Sequence, residues 1–172
     1  MKVIFLDFDG VLNHLDHFRA MSGKRQSEAD GLDVECIKRL NRLIEATGAK
    51  VCVSSTWRLG KSLCGLRDIL TARGFTGKVV GKTPELRGSS PAGTPQERGD
   101  EIQRWIDDWS RPSRSVDSFV ILDDDSDMAH LKHRLVQTSF HDGGLLDLHV
   151  DKAIDMLKRE GSEGSEGSEG NG

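Results

Sequence analysis

The chain has no apolar run approaching transmembrane length, and its N-terminus reads as a strand without the form of a signal peptide. Those absences exclude a membrane span and predict a soluble, cytoplasmic protein. Cysteine is scarce: Cys36, Cys52 and Cys64 make an odd number with no close pairing. A disulfide framework is thereby excluded, and small buried thiols in a reducing cytosol are expected. With the six histidines scattered, the chain also lacks a zinc-ligand pattern. No long basic run is present, and the formal net charge is −4, most of it from three glutamates near the C-terminus. The remainder is close to neutral, which argues against a dedicated nucleic-acid coat but leaves local phosphate contacts open.

At 172 residues the chain is long enough for one domain with a proper core. We place that domain at 1–160. Residues 161–172 repeat Gly-Ser-Glu three times and end in Gly-Asn-Gly. That composition cannot bury apolar surface and reads as a disordered linker or an appended tail.

Within 1–160, short apolar strands alternate with helical patterns. Val3 to Leu6, Lys50 to Ser54, Val79–Val80, Phe119 to Leu122 and a weak Leu135–Val136 read as strands. Residues 14–31 read as a loop or short helix. Asp33 is an N-cap for a helix with Val34, Ile37, Leu40 and Ile44 at helical spacing, closed by Gly48. Ser62 caps another, with Leu63, Leu66, Ile69 and Leu70 inward and Gly74 at its end. A Gly/Pro/Ser-rich loop spans 81–93, after which Thr94, Pro95 and Glu97 read as N-cap, N1 and N3 of a helix. Its face of Ile102, Trp105, Ile106 and Trp109 reads as core, not as a base-stacking platform. Val150 to Arg159 is the closing helix, with Ile154 and Leu157 inward. The alternation predicts an α/β fold: a Rossmann-like parallel sheet of about five strands with helices on both faces. Ligands of such sheets bind beyond the carboxyl ends of the strands.

Chemistry concentrates at those ends. In LDFDGVL, Leu6 to Leu12, Asp7 and Asp9 are two residues apart and can face one site; Gly10 then lets the chain turn. Paired carboxylates there are costly without a cation, and Mg²⁺ prefers oxygen ligands and works beside phosphate. A calcium loop fits poorly, since Val11 and Leu12 follow where spaced ligands belong. The second strand ends in VSSTWR, where Ser54, Ser55 and Arg58 are candidate phosphate ligands. The fourth ends in ILDDDSDM, whose crowded acids Asp123, Asp124, Asp125 and Asp127 call for a cation. The cation needed for a phosphate site is assigned to Arg98, near a helix N-terminus, with Lys78 and Lys82 as alternatives.

In that order, these motifs resemble those of the haloacid dehalogenase-like (HAD) hydrolase superfamily. VSSTWR, GKTPEL and RGDEIQRWI are similar to the HAD domain of Swiss-army-knife RNA-repair proteins. The superfamily usually has Lys as its third motif, where Arg98 is assigned here. The resemblance implies a phosphatase in which Asp7 attacks phosphorus, forming an aspartyl-phosphate that water hydrolyses. Asp9 would protonate the leaving oxygen and then activate that water. Mg²⁺ would be held by Asp7, the backbone carbonyl of Asp9 and Asp124, with Asp123 or Asp127 in support. Ser54 and Arg98 would hold the phosphoryl oxygens.

The gaps where relatives insert a cap domain are short, so the site is expected to have a minimal cap or none. An open site suits a phosphate on the end of a larger molecule, and with the RNA-repair resemblance this favours a nucleic-acid 3′-phosphate. A kinase or ligase is the implied companion. The competing readings are the same chemistry on a nucleotide or phosphoprotein, transfer to another acceptor, or a catalytically idle module that binds metal or phosphate.

Overall fold

The computed structural model describes residues 1–86 and 97–159. Val3, Ile4, Phe5 and Leu6 are fully buried, which puts β1 (Lys2–Leu6) at the centre of the sheet. β2 (Lys50–Val53) and β4 (Ser118–Asp123) flank it; β3 (Val79–Lys82) and β5 (Leu135–Gln137) form the edges. All pairings are parallel, in the order β3-β2-β1-β4-β5. The chain starts at the centre, moves to one edge, then returns to build the other half. The direction reverses between β1 and β4, the switch point at which open α/β sheets leave a crevice.

Alternation along β1 divides the core. Ile4 and Leu6 join the apolar faces of α2 (Val34–Thr47), α3 (Leu63–Ala72) and α5 (Asp147–Arg159). Val3 and Phe5 point the other way, toward Ile102 and Trp105 of α4 (Arg98–Trp109). Trp105 meets Phe5 edge-on and stacks on Trp109 with centroids 4.9 Å apart, so the tryptophans serve the core as expected. Helices therefore cover both faces. A short helix, α1 (Leu15–Ala20), and a 3-10 turn at Ala29–Gly31 fill the interval before α2. Every strand named lies in this one sheet, and among the described residues no helix is long and apolar enough to cross a membrane.

The caps at Asp33 and Ser62 form as expected, donating backbone N–H groups being those of Glu35 and Gly65. Gly48 closes α2 in the left-handed region. Val34 departs from the expected inward face and is 36% exposed; Leu43 takes the core position instead. α4 starts later than expected. Its N-cap is Glu97, which forms a reciprocal capping box with Asp100, whose carboxylate accepts from the Glu97 N–H at 3.0 Å. Thr94, Pro95 and the loop from 87 lie outside the described residues, as does the tail from 160. α5 begins at Asp147, because the Leu146 carbonyl already accepts from Val150. All three cysteines are free, but Cys64 is exposed.

Candidate active site

Three adjacent strand ends build the site. The Asp7 N–H donates to the Leu122 carbonyl at 3.0 Å, and the Ser54 N–H donates to the Leu6 carbonyl at 2.9 Å. These bonds extend the β4–β1–β2 ladder by one residue, so Asp7, Ser54 and Asp123 share the carboxyl edge of the sheet. Gly10 then turns the chain with φ at +72°, and a Cβ there would lie 2.2 Å from the Asp124 carboxyl carbon. Glycine is thus required twice at this position, for its dihedral and for the close approach of Asp124. The Thr138 hydroxyl pins the turn by donating to the Gly10 carbonyl at 2.7 Å.

Asp7, Asp123 and Asp124 each bring a carboxylate oxygen within 4.8 Å of the others. Against these three acids stands one guanidinium. Nη1 of Arg98 lies 3.1 Å from Asp7 Oδ2 and 3.1 Å from Asp123 Oδ2, and donates to the Ser54 carbonyl at 3.1 Å. The contact with Asp123 is a charge contact only, since Oδ2 of that residue has no hydrogen-bond partner. Burial pushes the Asp123 carboxyl up to about 8, with Asp7 adding to the rise and Arg98 opposing it. Asp7 is also raised: burial outweighs Arg98 and the hydrogen bonds from Ser55 and the Phe8 N–H. Asp124 rises through burial and the nearby Asp7 and Asp125 charges. The cluster holds more carboxyl groups than nearby cations, and their proton affinities rise accordingly. An all-oxygen set with this imbalance and an unsatisfied carboxylate oxygen fits a hard divalent cation.

Asp9 is held apart from that cluster. Its Oδ1 accepts from Asn13 Nδ2 at 2.7 Å and its Oδ2 from Trp57 Nε1 at 3.0 Å. Asn13 also accepts from the Gly10 N–H at 3.0 Å, tying the acid to the turn. Sequence reasoning missed both partners. Trp57 stood inside VSSTWR without a role, and only its place beside the hydroxyl run could have signalled one.

The other candidates divide. Ser54 is fully buried and its hydroxyl has no hydrogen-bond partner among the described residues. The Ser55 hydroxyl accepts from the Trp57 N–H at 3.3 Å and its side chain hydrogen-bonds Asp7. Arg58 is not brought to the phosphate position expected of it. It donates to the carbonyls of Ser54, Ser55, Thr83 and Pro84 and pairs with Glu101. With each guanidinium N–H aimed at the scaffold, it braces the loop after β2. Lys82 likewise donates to the carbonyls of Arg58 and Lys61, and Lys78 is exposed. Asp127 faces the start of α4, where its carboxylate accepts from the Arg98 N–H at 3.4 Å. The Asp9 carboxylate is likewise outside the acidic cluster, which leaves only its backbone carbonyl as the ligand the resemblance implied.

A family model for the HAD domain in Swiss Army Knife RNA repair proteins matches residues 3–150. The chain belongs to that family. No curated protein and no solved structure matches it. The matched span runs from β1 into α5 and contains every residue of the site above, so this HAD domain carries its whole acidic centre within the family region.

Proposed function

We propose that this HAD domain is a Mg²⁺-dependent phosphomonoesterase that removes a terminal 3′-phosphate from a polynucleotide. The observation that carries the proposal is the pairing of an undercompensated Asp7–Asp123–Asp124 cluster with a separate, doubly hydrogen-bonded Asp9. In this reading one carboxylate meets a cation and a phosphoryl group, and the other, held outside the cluster, transfers the proton.

Asp7, Asp124 and Asp123, with the Asp9 carbonyl, would hold Mg²⁺, which supplies charge to offset a phosphoryl dianion beside a carboxylate. An Asp7 oxygen attacks phosphorus while the bond to the leaving oxygen breaks, and Asp9 delivers its proton to that oxygen. Water then attacks the aspartyl-phosphate, Asp9 takes its proton, and the bond from phosphorus to Asp7 breaks, restoring the enzyme. The free Ser54 hydroxyl donates to a phosphoryl oxygen, and Arg98 balances charge on the same side. Family membership in RNA repair supports a nucleic-acid end as substrate. So does the short interval between β1 and α2, which holds one helix and one 3-10 turn. Removal of the 3′-phosphate would leave the hydroxyl that a companion ligase needs.

Phosphate release from a 3′-phosphorylated oligonucleotide, a 5′-phosphorylated one and an aryl phosphate, with Mg²⁺ or EDTA, tests the proposal. The expected result is metal-dependent release that favours the 3′-end and disappears in Asp7→Asn. Release from the aryl phosphate alone would discard the polynucleotide. Retained phosphate binding without turnover would point to an idle module.

A further inference from the structure

A cavity of about 250 Å³ has Asp9 in its wall, with Trp57 and Leu59 as apolar lining and Arg25, Glu28 and Lys61 as charged lining. If Asp9 protonates the leaving oxygen, the leaving group departs beside this cavity; the inference therefore rests on the function proposed above. The space is of a size to take one nucleoside-sized group.

The charges in the cavity are not equally available. Lys61 pairs with Glu28 at 3.1 Å, and both Asp9 oxygens accept hydrogen bonds. Arg25 has no ion pair among the described residues; its guanidinium carbon lies 5.5 Å from the Phe18 ring centroid. A Cβ at Gly31 would come within 2.5 Å of Arg25 Nη2 and 3.1 Å of Trp57 Cη2, so the guanidinium and the indole edge both lie against Gly31. Leu59, 43% exposed, adds an apolar surface beside them.

A second cavity, of about 200 Å³, adjoins Arg98 and contrasts with the first. Its acids Glu85, Glu97, Glu101 and Asp127 outnumber its cations Arg58 and Arg98, and Arg58 is committed to the scaffold. A polyanion would be repelled there; on the other side the charges balance, Asp9 and Glu28 against Arg25 and Lys61, with Arg25 outside any ion pair among the described residues.

We propose that the Asp9 cavity seats the terminal nucleoside of a nucleic-acid strand, with Arg25 paired to the phosphodiester on its 5′ side. The base lies against Trp57 and Leu59, and the 3′-oxygen points to Asp9. Arg25 is thus a specificity determinant for a strand over a free nucleotide.

The test compares a 3′-phosphorylated dinucleotide with a nucleoside 3′-monophosphate, which differ by that phosphodiester and the nucleoside beyond it, in wild type, Arg25→Ala and Arg25→Lys. Wild type is expected to show a KM about tenfold lower for the dinucleotide, the scale of one charge-assisted contact. Arg25→Ala should abolish the preference, Arg25→Lys restore part of it, and added salt shrink it. Equal KM values in wild type, or a preference that survives Arg25→Ala, overturn the inference while leaving the phosphatase standing. Release from neither compound removes the phosphatase reading and the inference together.

Discussion

Arg58, buried, and Arg98, partly buried, both lie at the carboxyl edge of the sheet, yet their surroundings differ in kind. Arg58 is enclosed by backbone carbonyls and one glutamate. Arg98 sits between two aspartates, on the first turn of α4. Carbonyls define a fixed shape that only a guanidinium fork fills, so Arg58 stabilises the loop. Carboxylates with raised proton affinity define a charge balance, so Arg98 tunes the site. A sequence shows two arginines near phosphate-binding motifs; only their partners separate brace from charge.

The largest effect should come from breaking the brace. Arg58→Ala strips Glu101 and the Thr83 and Pro84 carbonyls of their guanidinium donor, while Ser54 keeps Arg98 and Ser55 keeps the backbone N–H of residue 58, and we expect a loss of about 3–5 kcal/mol in urea unfolding. Arg98→Ala should behave differently: turnover falls by roughly 10²–10³-fold, as for loss of one group that stabilises transition-state charge. Its stability should change less, because Asp7 and Asp123 already have raised proton affinity and can neutralise themselves. Equal destabilisation by the two substitutions would erase the distinction.

Acidity sharpens the comparison further. Asp123 is raised to about 8 in the folded protein by burial first, so the folded state binds a proton that the unfolded state has released above about pH 4. That stabilisation is complete below about pH 4 and is lost as pH rises through 8. Metal-free protein should therefore melt at a lower temperature at pH 8 than at pH 5, and Asp123→Asn should flatten the difference. Mg²⁺ should raise the midpoint more at pH 8, where it does not compete with the proton. The smallest effect is expected from Trp57→Phe, which removes the donor to Asp9 Oδ2 while keeping an aromatic ring against Phe8. A fall of about tenfold in kcat is the expected outcome.

Much of the fold was legible because its signals are local. The apolar runs at β1, β2 and β4 had to be buried strands, and Asp33, Gly48 and Ser62 mark helix ends through their own backbone bonding. The start of α4 was misplaced because Thr-Pro-x-Glu and Glu-x-x-Asp both satisfy capping rules, and the bonds from Glu97 to Asp100 and Ala129 select the second. In the site, Asp7, Asp123, Asp124 and Ser54 could be read from strand ends. The partners Asn13, Trp57 and Thr138 could not, because a hydrogen bond between distant segments leaves no periodicity. Arg58 looked like a ligand for the same reason: its carbonyl cage is assembled from two loops.

The proposed chemistry needs Asp7 as the residue that receives phosphate and Asp9 as a separate proton carrier. An aryl phosphate has a leaving group that needs no proton, so it should load Asp7 even when Asp9 is disabled. We would react Asp9→Asn protein with a phosphorus-labelled aryl phosphate and Mg²⁺, quench in acid, and locate the label by peptide mapping. The predicted result is a hydroxylamine-labile phosphate on the Asp7 peptide, absent in Asp7→Asn and in EDTA. Phosphate release from Asp7→Asn, or turnover by wild type with no label on Asp7 at any time, would contradict the account.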